Sequence, residues 1–289
     1  MAFLGLCSDD FLITTLRDVF GANPVRVPEM RLAPLVVLAS NGRTTSFRGS
    51  LAPLLRGAPA FDIDVARSRT ANLSGRRSRQ VKAEVGLEIL EGFLSGMGLP
   101  SAAVAAKFAG AKTVSFSFED VQRVWVDPAI VGLQLSNKVI DAAQPAATIF
   151  LDGTHQFLIV DSTIQSRDFN IKVESASNGG FSLDVPAIQE MVGKVNTALQ
   201  VSNASSTDIT FKGESYLSFA FSCLRLYVDA NGKVTSMPPA GNVPTLAGAS
   251  AAAGERPATQ ILYTPDRLLL STDAGLVDVV FPPSGPAAT

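Results

Sequence analysis

The C-terminal end of the chain constrains its fold more than any other segment. Beyond Tyr227 the sequence breaks into a stretch rich in proline, alanine and glycine, residues 237–259, and then resumes as a short apolar tail at 261–281. The tail reads as two brief strands, Gln260-Ile-Leu-Tyr263 and Arg267-Leu-Leu-Leu270, followed by Leu276-Val-Asp-Val-Val-Phe281. At roughly 20 residues it cannot close a core of its own, because chains below about 40 residues rarely fold unaided. Its leucine, isoleucine, valine and phenylalanine side chains must therefore lie on the main body. A loose linker holding a docked apolar tail is also a place where one peptide-bond cut turns a stable state into a dissociable one. The plainer alternative is a structural C-terminal hairpin behind a long surface loop.

The body has material for a sizeable core. Hydrophobic residues make up 46% and charged residues 17% of 289, which excludes global disorder and suits one large or two modest domains. Net charge is only −2, so neither a nucleic-acid binder nor a polyacid is indicated. The charge is unevenly placed, however. Residues 43–82 carry Arg43, Arg48, Arg56, Arg67, Arg69, Arg76, Arg77, Arg79 and Lys82 against Asp62 and Asp64. That local excess of seven positive charges leaves the remainder nine negative. A cationic strip on a mildly acidic protein points to an anionic partner, lipid as readily as RNA. The two cysteines, Cys7 and Cys223, make no disulfide framework and favour a reducing compartment. The first six residues have neither the basic start nor the length of a signal peptide, and Leu6 is too large for a lipoprotein cleavage site. No window approaches the ~18 apolar residues of a membrane helix. The expectation is a soluble cytoplasmic protein.

Periodicity predicts a mixed fold. Asp9 and Asp10 can cap a helix over 11–20 that Gly21 stops. Short strands follow at 25–27 and 35–38, the second ended by Asn41-Gly42, and period two gives a half-buried strand at 61–65. Val81, Ala83, Val85, Leu87 and Ile89 alternate as a strand would, yet residues 82–110 fit a helix equally well. Five glycines there (Gly86, Gly92, Gly96, Gly98, Gly110) weaken any helix by about 1 kcal/mol each. Such a segment is a mediocre helix fixed by packing or, less often, one used in two conformations. Strands are predicted at 113–118, 156–160, 168–173, 208–212 and 216–228, with an amphipathic helix at 185–200 whose first turn holds Pro186. The fold class is α+β, a twisted, mostly antiparallel central sheet with surrounding helices and a short docked C-terminal tail.

Catalytic chemistry is hard to assemble from this inventory. His155, the single histidine, sits on the turn Asp152-Gly-Thr-His and reads as a surface or strand-start residue. Asp62 and Asp64 are the exposed face of a strand rather than a paired-carboxylate site. Gly96-Met-Gly98 lacks a third glycine and a preceding strand, so it is not a dinucleotide fingerprint, and no P-loop, Gly-x-Ser-x-Gly or Cys-x-x-Cys occurs. An enzyme is not expected, no cofactor is called for, and no metal site is indicated. Arg76, Arg77 and Arg79 form a cluster without interleaved aromatics for base stacking. It reads as a solvated basic face, an anionic-lipid contact or, least of all, a nucleic-acid patch. Cys7 is a small buried hydrophobe, a frayed-end thiol or, beside Phe3, Leu4 and Leu6, an S-acylation site.

Several segments in order carry a family resemblance. They are Leu6-Cys-Ser-Asp-Asp10, Gly21-Ala-Asn-Pro-Val-Arg-Val-Pro28 and Leu32-Ala-Pro-Leu-Val-Val-Leu38. Ala71-Asn-Leu-Ser-Gly-Arg-Arg-Ser-Arg79 leads into Val85-Gly-Leu-Glu-Ile-Leu90, and Ala111-Lys-Thr-Val-Ser-Phe-Ser-Phe-Glu-Asp-Val121 follows. Together they resemble the gasdermins, the small bacterial members in particular, over about residues 6–173. The resemblance implies a pore-forming body at 1–236, a cleavable linker at 237–260 and an autoinhibitory tail at 261–289. It implies a partner protease, often caspase-like, that cuts the linker; Leu246 and Arg256 are candidate positions as loop side chains that common proteases accept. A monomer would then become a homo-oligomer in the inner membrane, contacting anionic lipid and no nucleic acid, and lyse the cell as antiphage defence. It further implies a covalent palmitoyl group on Cys7 that tucks into the body.

Elementary membrane physics is compatible with that expectation. Only helices and closed barrels satisfy every backbone polar group in a bilayer, and a strand crosses in about 9–11 residues. Residues 82–92 with 104–118, and 157–171 with 201–217, are long enough for two hairpins per subunit. Loss of the tail would bare apolar surface on the order of several hundred Å2, the scale of an interaction site, near a strip suited to anionic headgroups. The rival expectation is a non-lytic module that binds lipid or nucleic acid and whose tail is only structural; a hydrolase using His155 is a distant third.

Overall fold

A computed structural model describes residues 16, 20–42, 44–70, 77, 81–96, 101–108, 111–151, 153–175, 184–195, 200–229, 231–236, 277 and 279–281. In chain order the elements are β1 (Asn23–Glu29), β2 (Val36–Ser40), β3 (Thr45–Ser50), β4 (Ala66–Arg69), β5 (Val81–Lys82) and α1 (Ala83–Gly96). There follow α2 (Ser101–Ala105), β6 (Ala111–Glu119), β7 (Gln122–Trp125), α3 (Pro128–Leu135), β8 (Gln156–Ser175) and α4 (Val185–Val195). The chain ends with β9 (Gln200–Ser205), β10 (Asp208–Val228), β11 (Val234–Ser236) and β12 (Val279–Val280). The class is α+β, as expected.

Two long strands form the axis. β8 and β10 run antiparallel, from Asp208 opposite Lys172 to Leu226 opposite Phe157. The far edge of β8 is shared by β2, β7 and β6 along its length, and that of β10 by β11, β1 and β9. Every ladder among the described strands is antiparallel except that of β12 on β3.

The two pairs of shorter strands expected at 156–173 and 208–228 are thus continuous strands of 20 and 21 residues. The misreading has a physical origin. On β8 the apolar residues of one core cluster fall on an even number at Ile164, then on odd numbers at Phe169, Ile171 and Val173. The switch falls where pairing with β10 is interrupted, between Asp168 opposite Lys212 and Ser166 opposite Leu217, with the extra residues on β10. Along a sequence it looks like a break between two strands.

The ambiguous segment resolves as helix. After Val81–Lys82 the strand stops and α1 begins. Its buried Ile89, Leu90, Phe93 and Leu94 stand at helical spacing and pack with β6, β8, β10 and α4 in one cluster. Alternation at 81–89 is real but cannot place Leu90, Phe93 and Leu94 on the same side. Packing overrides the glycine cost here. α4 contributes Val185, Ile188 and Val192 to the same cluster and is described to Val195, while Gln200, expected at its end, belongs to β9. Residues 61–64 keep period two, with Phe61 and Ile63 against a second cluster and Asp62 and Asp64 exposed, but Val65 is exposed as well and the segment joins no ladder. Of the predicted first helix, 11–20, Leu16 and Phe20 are described; Leu16 is helical and Phe20 lies in a turn.

At the other end the sheet is buried on both faces. Phe157 and Ile159 of β8, Val37 and Ala39 of β2, and Leu224 and Leu226 of β10 share a cluster with Val131 and Leu135 of α3. The alternate residues Leu158 and Val160, Val36 and Leu38, and Phe221 and Cys223 point the other way into a third cluster.

Candidate functional site

The third cluster is where the C-terminal tail meets the body. Val277 is 2% exposed within it, and Val279 and Phe281 pack partly buried beside it. Val280, between them, is 59% exposed. The tail therefore lies as an extended strand whose odd residues face inward, the period two of a half-buried strand.

Main-chain pairing fixes its direction. The Val277 N–H donates to the Pro24 carbonyl at 2.8 Å, and Val277 bridges Val25 in parallel. Val279 then pairs with Thr45 and Val280 with Ser46, again in parallel. The tail thus starts on β1 and finishes along the outer edge of β3.

Phe281 closes the contact. Its ring lies 5.1 Å from that of Phe47, tilted by 34°. The guanidinium carbon of Arg31 stands 4.6 Å over the Phe281 ring. Arg31 is itself held by Glu29, with Nη2 to Oε2 at 2.8 Å and backbone N–H to Oε1 at 3.2 Å. Burial alone would raise the Glu29 carboxyl, but the hydrogen bonds and charge of Arg31 leave it below its ordinary value. The pair is accordingly intact above the usual carboxylate range and lost as acid brings Glu29 through its lowered value. Burying one valine is worth about 1.5–3 kcal/mol, an aromatic pair about 0.5–1.5 and an exposed cation–π contact about 0.5–1. These terms describe a dock that is firm while the tail is tethered and weak enough to release.

Beneath the tail the face is apolar: Leu38, Leu158, Val160 and Phe221 are each 0% exposed with it in place. Cys223 lies among them, its thiol pushed far up by burial and then by the charge of Asp161, so it serves as a neutral packing group.

The residues singled out from sequence fall in different places. Arg77 is exposed, bridges Ser117 through its backbone and reaches Asp208 with Nη2 to Oδ2 at 3.3 Å. An exposed ion pair of this kind is worth about 0–1 kcal/mol, so its guanidinium is easily redirected to another anion. Cys7, Arg76, Arg79, Leu246 and Arg256 lie outside the described residues. His155 is half-buried at the start of β8, with Nδ1 2.8 Å from the Thr154 hydroxyl. No helix among the described residues is long and apolar enough to cross a membrane, which says nothing of crossing by strands.

Sequence reasoning missed the Glu29–Arg31–Phe47 clamp. Its arginine lies outside the basic strip, and Phe47 sits on a strand that was not predicted. The available signal was the inward set Val277, Val279 and Phe281, which needs an apolar groove with an aromatic end.

Comparison with known proteins follows from this geometry. The sequence model described as the Bacterial Gasdermin Family matches residues 25–233. A protein named gasdermin bGSDM from Vitiosangium sp. (strain GDMCC 1.1324) is 31% identical over 233 residues, covering 80% of this chain and 86% of that one. A gasdermin bGSDM from a Desulfuromonadales bacterium is also 31% identical, over 237 residues, 81% of this chain and 86% of that one. Among solved structures, a bacterial gasdermin from Bradyrhizobium tropiciagri superimposes with a TM-score of 0.61 at 13% identity, covering 96% of this chain and 99% of that one.

Proposed function

We propose, from the premise that this chain belongs to the bacterial gasdermin family of pore-forming proteins, that its pore is held off by its own C-terminal tail. A protease, caspase-like or other, cuts within residues 237–260, where Leu246 and Arg256 are candidate positions. The body then leaves its monomeric state, oligomerises on the inner membrane and opens a β-barrel that lyses the cell, a defence against phage. One observation carries the reading. Val277, Val279 and Phe281 cap an apolar sheet face that includes Leu38, Leu158 and Phe221, and among the described residues they are held by a short paired segment and by the contacts of Phe281 with Phe47 and Arg31. Removing them leaves surface that must find lipid or another copy.

The decisive experiment inserts a site-specific protease sequence between Pro244 and Glu255 and adds the purified protein to dye-loaded vesicles of bacterial lipid. Dye release only after cutting is the expected result. A cut protein that stays a folded monomer with its tail bound, and releases no dye, would overturn the reading. In the same assay, reversing the charges of Arg76, Arg77 and Arg79 is expected to slow release from anionic vesicles severalfold. Unchanged kinetics would remove that strip as the lipid contact.

Cys7 is proposed to carry a palmitoyl chain. One acyl group is a marginal membrane anchor, so its use here is to fill a pocket of the resting body. Intact-mass measurement of protein taken from cells should show the acyl adduct, lost in Cys7→Ala. An unmodified mass would eliminate the lipid.

A further inference from the structure

Midway along the sheet, both axial strands lose their pairing at one level. β10 pairs with β8 up to Lys212 opposite Asp168 and resumes at Leu217 opposite Ser166, so residues 213–216 are looped out against Arg167 alone. On the other edge of β8, β6 ends with Glu119 opposite Asp168 and β7 begins with Gln122 opposite Gln165. Between them stands Asp120, with φ at 47°, a left-handed conformation in which aspartate and asparagine are enriched among non-glycine residues.

Three chain segments meet on the Asp120 carboxylate. Tyr216, from the looped-out part of β10, donates its hydroxyl to Oδ2 at 2.6 Å. Arg167, the β8 residue opposite that break, donates Nε to the same oxygen at 2.9 Å. The Arg167 guanidinium also lies 5.2 Å from the Tyr216 ring centre. Next to them the Ser166 hydroxyl sits against the Glu119 carbonyl and accepts the Asp168 N–H at 3.0 Å. The Tyr216 hydroxyl bond, with the Arg167 charge, holds the Asp120 carboxyl below its ordinary value, and burial together with Asp120 holds the tyrosine hydroxyl above its own.

Below this level, the β8–β10 ladder from Asp208 to Lys212 holds five partners. That is about 17 Å of strand, short of the ~9–11 residues a bilayer crossing needs. Lengthening it toward the body means drawing Arg167 and residues 213–216 into register, which the carboxylate contacts oppose. We propose that Asp120, Arg167 and Tyr216 form a latch that keeps the two axial strands out of register in the resting protein, and that its opening limits the rate of strand extension once the tail has gone. This rests on the pore-forming reading given above. The three act as positioning residues, apart from the described residues of the tail.

Tyr216→Phe removes one hydroxyl from the latch, and Asp120→Asn removes its charge while keeping a residue suited to the left-handed backbone. Both are made in the protein bearing the cleavable linker. Hydrogen exchange on the uncut protein reads the latch without reference to membranes. Amides flanking the break, at Asp168, Lys212 and Leu217, are expected to exchange about tenfold faster or more in either variant, with β2 amides unchanged. After cutting, dye release from anionic vesicles is expected to accelerate by a similar factor. Unchanged local exchange overturns the latch. Faster exchange with an unchanged release rate overturns its part in activation. If cut wild-type protein releases no dye, the pore reading fails instead, and the exchange measurement still decides whether the latch exists.

Discussion

Val277→Asp, made in the uncut chain, should release dye from vesicles without any protease. Val277 is 2% exposed and donates the hydrogen bond to Pro24 that starts the tail strand. An aspartate there must either bury a charge with no partner, at a cost of several kcal/mol, or leave the groove. At about 1.4 kcal/mol per factor of ten, the undocked population rises by roughly 100-fold or more. Phe281→Ala should act in the same direction but more weakly, since Phe47 and Arg31 contribute together about 1–2.5 kcal/mol through that ring. Val280→Asp is the control, because Val280 is 59% exposed and faces outward. Release by the first variant and silence from the control places the restraint in the inward face of the tail. Silence from both would show that the described end of the tail does not restrain the body.

The second large effect concerns resting stability. Phe93 is 0% exposed, and its ring lies 5.0 Å from Phe169 and 6.1 Å from Phe118. Phe93→Ala removes the centre of that aromatic group and leaves a cavity that the surrounding strands fill only in part. The expected loss is about 3–5 kcal/mol, a fall in Tm on the order of 10 °C for a chain of this size. Leu133→Ala on α3, 70% exposed, should stay within about 0.5 kcal/mol. Denaturant or thermal unfolding of the two variants side by side checks both figures. Equal midpoints would mean that α1 is not fastened to the sheet through Phe93.

Much of the architecture was legible because burial writes itself into spacing. Val114, Phe116 and Phe118 alternate in polarity with Ser115 and Ser117, which marks β6, although the two serines are buried as well. Ile188 and Val192 mark α4 as plainly. Reading failed where two periodicities overlapped or where one was interrupted. Val81 to Ile89 carries the strand pattern and the helix pattern at once, and only Leu90, Phe93 and Leu94 decide for the helix. On β8 the change from even to odd apolar positions reads as a gap, although the backbone runs through it. The tail site was half legible. Leu276 to Phe281 announces a strand in need of a partner, but the partner is assembled from Pro24, Arg31, Thr45 and Phe47, which no local pattern joins. The latch at Asp120 was invisible for the same reason: its three residues are far apart in sequence, and only the bulges bring them to one level.

The parallel pairing of β12 on β3 has a consequence in water as well as at a membrane. Along the main path of the described sheet, β12 is the last strand and β3 the one it covers. A sheet edge with its N–H and C=O groups unpaired is a template for other chains. With the tail gone, β3 becomes such an edge beside a bared apolar face, so two freed molecules meeting in bulk solvent can add strand to strand without limit. On the proposed activation by cleavage, whether a freed molecule is spent on aggregation or reaches lipid would depend on where it is cut and how crowded its neighbours are, and the same short strand would also guard solubility.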